Sequence, residues 1–257
     1  PKKTIAIVGT RNMTNYGKAI LEELISGIKN YHIQVVSGLA YGVDVFAHKQ
    51  CVQMGIETIG VLGHGLDRIY PALHKKVALE MVNGRGGLLT EFPNDTNPDR
   101  ENFPQRNRIV AGMTDATIVV ESGAKGGSLI TANLANDYNR EVFAYPGGVF
   151  NKLSEGCNQL IQANKAHLIR SSKDLIAMME WQPEKEKTVV QKSLFEGLND
   201  SEKSVVQLLL TNGESSVDKI ASLLQKSISS ILNVLLLLEM KGRVKSRPGS
   251  KYQLAMN

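Results

Sequence analysis

Thr4–Val8 reads TIAIV, Gly9–Gly17 reads GTRNMTNYG, and a helical pattern follows over 17–29. A short β-branched run, a polar loop and an amphipathic helix, in that order, make one strand-to-helix unit of an α/β sheet. The unit recurs. Further strand candidates are Ile33–Ser37, Thr58–Leu62, Gly87–Glu91, Ala116–Val120, Val142–Tyr145 and Ala166–Ile169, with helices predicted over 42–54, 71–83, 127–138 and 155–164. These runs are nearly continuous in Val, Ile and Leu rather than alternating, as strands buried on both faces of a parallel sheet are. The spacing predicts a Rossmann-like, doubly wound, mostly parallel sheet over residues 1–181.

Residues 182–199 (QPEKEKTVVQKSLFEGLN) lose the apolar period and read as a linker, with anchoring points at Val189, Leu194 and Phe195. A different grammar begins at Asp200. Helices are predicted over 201–211, 217–225 and 227–241, with Asn212-Gly213 as the first stop. Two basic strands follow, Gly242–Ser246 and Lys251–Leu254, around Arg247-Pro248-Gly249-Ser250. Three helices and a two-stranded wing make residues 200–257 a small winged-helix-like domain.

The chain has 257 residues, enough for one or two domains at about 150 each. Apolar residues at 42% and charged residues at 21% exclude a disordered chain. The longest strongly apolar run, Ile231–Leu238, is far short of the roughly 20 residues of a membrane span. No membrane partner is expected. A start at Pro1, with neither Met nor a charged-then-apolar leader, reads as a chain trimmed of an upstream segment. Cys51 and Cys157 stand far apart with no CxxC spacing, which excludes a disulfide framework and a cysteine zinc cluster and fits a reducing cytosol. Thirty Lys and Arg against 25 Asp and Glu give +5, which permits a polyanion partner without requiring one.

Ligands of an α/β sheet collect where strands end and helices begin, because the first helical N–H groups there lack partners. Three segments have that form. Gly9–Gly17 presents Thr10 and Arg11 without GxGxxG or GxxxxGK[ST], so neither a dinucleotide nor a P-loop nucleotide is supported and no cofactor is expected. Arg11 reads equally as an anion contact or as a solvated turn residue. Ser37–Asp44 (SGLAYGVD) offers a strand-end hydroxyl and the close-approach glycine Gly38, and His48 beyond it reads best as packed or solvated. Glu121–Ala132 (ESGAKGGSLITA) runs into a glycine-rich turn with Gly123 and Lys125, and Ser128 near the helix cap; it is the strongest local anion signal. Glu121 has no convincing acid–base partner. Between the last two segments, Asn102–Ile109 (NFPQRNRI) brings Arg106, Asn107 and Arg108 together just before a helix, as donors for phosphate or as a solvated helix start.

Taken together, Ile7–Gly17 (IVGTR…T.YG), Ser37–His48, Val61–Pro71 (VLGHGLDRIYP), Phe103–Gly112 (FPQRNRIVAG) and Gly127–Ala132 (GSLITA) resemble the DprA/Smf family of DNA-processing proteins. Val142–Gly148 (VFAYPGG) and Gly156–Ile161 (GCNQLI) continue the resemblance, which covers most of residues 1–170 in order. It implies a cytoplasmic homodimer that binds incoming single-stranded DNA and loads the RecA recombinase during natural transformation, with no established chemical turnover. The strand-binding residues it implies are Arg11 with Thr10, Ser37, Gly38, Arg106, Asn107, Arg108, Lys125 and the turn residues Gly123 and Ser128. Gly126-Gly127-Ser128 stands where Ser-Gly-Ser is more usual, a mild departure.

Two other readings remain. A phosphoribohydrolase-like nucleotide enzyme would continue PGG into Gly-Thr and a Glu, whereas Pro146-Gly147-Gly148 runs into Val149-Phe150-Asn151. A ligand-sensing winged-helix regulator would want a polar third helix, and the run over 227–241 is strongly apolar. That tail suits duplex reading or protein docking equally.

Overall fold

The computed structural model describes residues 2–183 and 197–255. The chain forms two compact units that part between residues 184 and 185. Most of the expected linker, including Val189, Leu194 and Phe195, lies outside the described residues.

The first unit is built on β1 (Lys3–Val8), β2 (Ile33–Ser37), β3 (Thr58–Val61), β4 (Gly87–Leu89), β5 (Ala116–Val119), β6 (Glu141–Ala144) and β7 (His167–Leu168). All pair in parallel, in the order β4-β3-β2-β1-β5-β6-β7. The sheet is Rossmann-like, and its order turns at β1, where chain direction across the sheet reverses. Ile5 pairs with Val35 on one side and Ala116 on the other.

Alternate residues of β1 serve opposite faces. Ile5 and Ile7 join the core under α1 (Asn15–Ile28), α2 (Val43–Met54) and α7 (Ser172–Met178). Ala6 and Val8 join the core under α4 (Asn102–Gly112), α5 (Gly127–Asp137) and α6 (Glu155–Gln162). A third cluster, with Leu39, Leu62 and Met81, packs α3 (Lys75–Asn83) at the β3–β4 edge. Both faces are covered, which is why no strand alternates in polarity.

Three elements differ from expectation. The helix expected over 71–83 starts at Lys75, after a 3-10 turn at Ala72–His74 and a cis Tyr70–Pro71 bond. Asn102–Ile109 does not precede a helix; it is the opening of α4. Pro104 is third in that helix, where its missing N–H has no partner to lose, so a residue that looks like a breaker sits at no cost. The seven-residue α7 was not expected at all.

The second unit has α8 (Asp200–Asn212), β8 (Ser215–Ser216), α9 (Val217–Leu224), α10 (Ile228–Met240), β9 (Val244–Arg247) and β10 (Lys251–Leu254), with a sheet ordered β8-β10-β9. This is a winged helix with one more short strand, β8, than predicted. Asn199 and Glu202 cap α8 reciprocally at 2.9 and 2.8 Å, and Lys241 reaches Glu202 at 2.7 Å to tie α10 to α8. The helix α10 buries Ile231, Leu235 and Leu238 and leaves Ile228, Leu232, Leu236 and Met240 exposed. Among the described residues no single helix is long and apolar enough to cross a membrane.

Candidate nucleic-acid interface

A cavity of about 750 Å³ opens at the carboxyl ends of β1, β2 and β5, at the turn in strand order. The loop after β1 is held against the start of α2 by Val43 N–H to Thr10 O at 3.2 Å, and against the end of β5 by Thr10 N–H to Glu121 O at 2.7 Å. Gly42 makes the first of these possible. Its φ is +73°, and a Cβ there would lie 2.3 Å from Thr10 O. Arg11 sits on this loop, exposed, and lines the cavity.

Arg106 lines it from below but is only 4% exposed. Its guanidinium donates to Gly38 O at 2.5 Å and to Val61 O, tying the ends of β2 and β3 to α4. A Cβ on Gly38 would lie 2.6 Å from Arg106 Nη1, so glycine is needed there for the approach of a side chain rather than of a ligand. Asp44, also buried, accepts from Gly38 N–H at 3.2 Å and Ala40 N–H at 3.4 Å. Burial pushes the Asp44 carboxyl above its ordinary pKa, and the positive Arg106 nearby pulls it back. Arg106 is therefore a wall of the cavity, held by the protein, and not a free donor in a loop.

The third side is the glycine-rich turn into α5. Gly126 is the cap residue and no side chain caps the helix; Leu129 N–H turns back to Gly126 O at 3.1 Å, which leaves the Gly127 and Ser128 N–H groups open to an anion at the positive end of the helix. Gly123, Gly126, Gly127 and Ser128 line the cavity. Ser128 contributes backbone only, because its hydroxyl donates to Ser122 Oγ at 2.9 Å.

Of the residues singled out from the sequence, Thr10, Arg11, Gly38, Arg106, Asn107, Gly123 and Ser128 share this cavity. Three do not line it. Ser37 is fully buried and its hydroxyl donates to Ile7 O at 2.6 Å, so it braces β2 against β1 and offers nothing to an anion. Arg108 points off the cavity side of α4 and pairs with Glu91. Lys125 is exposed on the turn, outside the lining. Glu121 is buried, accepting from Thr14 N–H at 2.9 Å and Thr14 Oγ1 at 2.6 Å where α1 begins. His48 is buried, with Nδ1 at 2.7 Å from Thr58 Oγ1, and burial, then Arg106 and His74, lower its pKa to about 3.

On the apolar side of the same cavity, the sequence offers Phe103 as a candidate stacking ring, read more readily as packing, but gives no sign of Tyr70 or Ile130. Tyr70 and Ile130 are exposed, Phe103 is half-buried, and the Tyr70 and Phe103 rings lie 5.9 Å apart. Arg100 adds an exposed cation at the rim. The aromatic pair is brought together from residues 33 apart in sequence, by the β3–α3 loop and the start of α4, and no local pattern announces that.

The family model described as DNA recombination-mediator protein A matches residues 1–180, and the DprA winged helix domain matches residues 195–250. The DNA processing protein DprA of Streptococcus pneumoniae is 39% identical over 177 residues, covering 69% of this chain and 62% of its own length. Protein Smf of Synechocystis is 33% identical and covers 97% of this chain and 69% of its own length. The crystal structure of the Streptococcus pneumoniae DprA superimposes with a TM-score of 0.64, covering 70% of this chain and 62% of the other. DprA from Helicobacter pylori, studied for its single-stranded DNA binding mode, is 30% identical with a TM-score of 0.64, covering 70% of this chain and 82% of that one. Sequence, domain order and fold agree, and the chain belongs to the DprA family of DNA-processing proteins.

Proposed function

We propose that the chain binds single-stranded DNA in the cavity at the ends of β1, β2 and β5, and delivers the strand to the RecA recombinase during natural transformation. The observation that carries this is one recess with two kinds of surface. Arg11 and the open amides at the start of α5 suit a phosphate. Tyr70, Phe103 and Ile130 suit the flat face of an unpaired base. A recess admits one backbone with its bases splayed, and a duplex holds its bases inward. The single-stranded DNA bound by the Helicobacter pylori relative supports the same reading.

The chain acts as a homodimer in the cytoplasm, with residues 182–199 as the linker between its two domains, and it binds without turnover. The two groups with a catalytic look both lie inside the protein: Glu121 accepts from Thr14, the cap residue of α1, and His48 is fully buried with Nδ1 on Thr58. Fluorescence anisotropy of labelled oligo-dT and a matched duplex, across a salt series with the full chain, tests the proposal. Tight, salt-sensitive binding that favours the single strand and weakens in Arg11→Ala is the expected result. Equal affinity for duplex, or an unaffected Arg11→Ala variant, would overturn it.

A further inference from the structure

The loop after β6 carries two neighbouring apolar side chains in full solvent: Val149 is 84% exposed and Phe150 101%. The backbone beneath them is firmly tied. Gly147 N–H donates to Asn158 Oδ1 at 3.2 Å, and Asn158 Nδ2 returns a bond to Gly147 O at 3.1 Å. Asn151 N–H donates to Gly148 O at 2.9 Å, Leu153 N–H to Asn151 Oδ1 at 3.0 Å and Ser154 N–H to Asn151 O at 2.9 Å. On one side Tyr16 Oη donates to Pro146 O. On the other, Gly156 N–H donates to Ser122 O at 2.8 Å, and a Cβ on Gly123 would lie 3.5 Å from Lys152 O. The loop is thus braced against the same Ser122–Gly123 turn that lines the cavity. Lys152 on the loop and Lys125 on the turn are both exposed.

We propose that Phe150 is a stacking platform for a base of the single strand just outside the cavity, with Lys152 taking an adjoining phosphate. This rests on the single-strand reading above and extends its footprint by about one nucleotide along the rim. An exposed ring on a fixed backbone loses little freedom when a base covers it, and every base has a face to offer, so the contact adds affinity without sequence preference. Charge explains why the occupant is nucleic acid rather than an apolar peptide: Lys152 stands two residues from Phe150, and its carbonyl lies against the Gly123 turn that carries the exposed Lys125.

The test uses the full chain and its Phe150→Ala and Phe150→Trp variants, with oligo-dT and an abasic oligomer of equal length as probes. Phe150→Ala should weaken oligo-dT binding roughly tenfold with an unchanged salt slope. It should leave the abasic oligomer's affinity unaltered, and Phe150→Trp should restore binding. Should the parent bind oligo-dT while Phe150→Ala binds it equally well, or lose as much on the abasic strand, the platform is wrong and the cavity stands. Should the parent prefer no single strand, the cavity reading fails and the platform with it. Sedimentation of Phe150→Ala gives the remaining check, since a changed oligomeric state would assign Phe150 to an interface between copies and overturn the proposal.

Discussion

Replacing Arg106 with methionine separates a strand contact from a wall. The side chain is 4% exposed and its guanidinium serves Gly38 O and Val61 O. Methionine keeps most of the stem volume and removes the charge. Two carbonyls then lose their donor, and the buried Asp44 loses the positive charge that draws its pKa down. Breaking a buried charge arrangement from one side costs about 3–5 kcal/mol. For a unit of this size each kcal/mol moves Tm by about 2–4 °C, so the first unit should melt roughly 6–20 °C lower. The pH dependence has a definite sign. The folded pKa of Asp44 already lies above its unfolded value, so its contribution to stability is greatest at acid pH and declines as pH rises. Removing Arg106 raises that folded pKa further. The gap in Tm between variant and parent should therefore narrow on acidification. Calorimetry of the full chain at several pH values measures this. A variant that melts with the parent, yet loses oligo-dT affinity with a smaller salt slope, would show that Arg106 touches the strand and refute the assignment.

Arg11→Ala and Lys125→Ala should each weaken binding to single strands of any sequence, and anisotropy across a salt series should show the slope falling by about 0.7 for each phosphate no longer neutralised. His48→Ala should leave oligo-dT affinity nearly intact, because the ring is buried against Thr58. The folded pKa of His48, about 3 against an ordinary 6.5, makes the unfolded chain the better proton binder between those values. Stability should accordingly fall as pH drops through that window, by up to about 1.4 kcal/mol per pH unit, and His48→Gln should flatten the slope in acid denaturation curves. Burial pushes the thiols of Cys51 and Cys157 up to about 12, so a thiol reagent at neutral pH should label them only in denaturant.

The sheet was legible because its strands are buried on both faces, and Thr4–Val8 or Ala116–Val120 needs no partner to read as such. The short elements were not. The two-residue β8 and the seven-residue α7 are too brief to show a period, and they exist because neighbours complete them: β10 pairs with β8, and Glu23 bonds Ser172 at 2.6 Å at the start of α7. At the site, the Gly9–Arg11 loop and the Gly123–Ser128 turn were visible as strand-to-helix turns and do meet. Arg106, Arg108 and Asn107 looked like one cluster of donors. Inside a helix, residues two apart point to opposite sides, so Arg106 went inward, Arg108 outward to Glu91, and Asn107 alone kept a free face on the cavity. Ser37 misled for a simpler reason: a hydroxyl ending a central strand lies closer to the neighbouring strand's carbonyls than to any ligand.

The two faces of the sheet are made of different stuff, and that shapes how the protein can change over time. The face under α1, α2 and α7 is filled by large side chains such as Ile5, Ile7, Leu21, Leu24 and Phe143. The face under α4 and α5 is lined by Ala6, Ala111, Ala132, Ala135 and Ala144, with α4 and α5 packed on each other. A large residue can be exchanged for another of similar volume at small cost, but an alanine at a close helix contact can only grow, at about 1–3 kcal/mol. Of the helices that line the cavity, α4 and α5 ride on the alanine face. Drift in the core should therefore collect on the far side of the sheet, while the spacing between Asn107 and the start of α5 passes from lineage to lineage almost untouched.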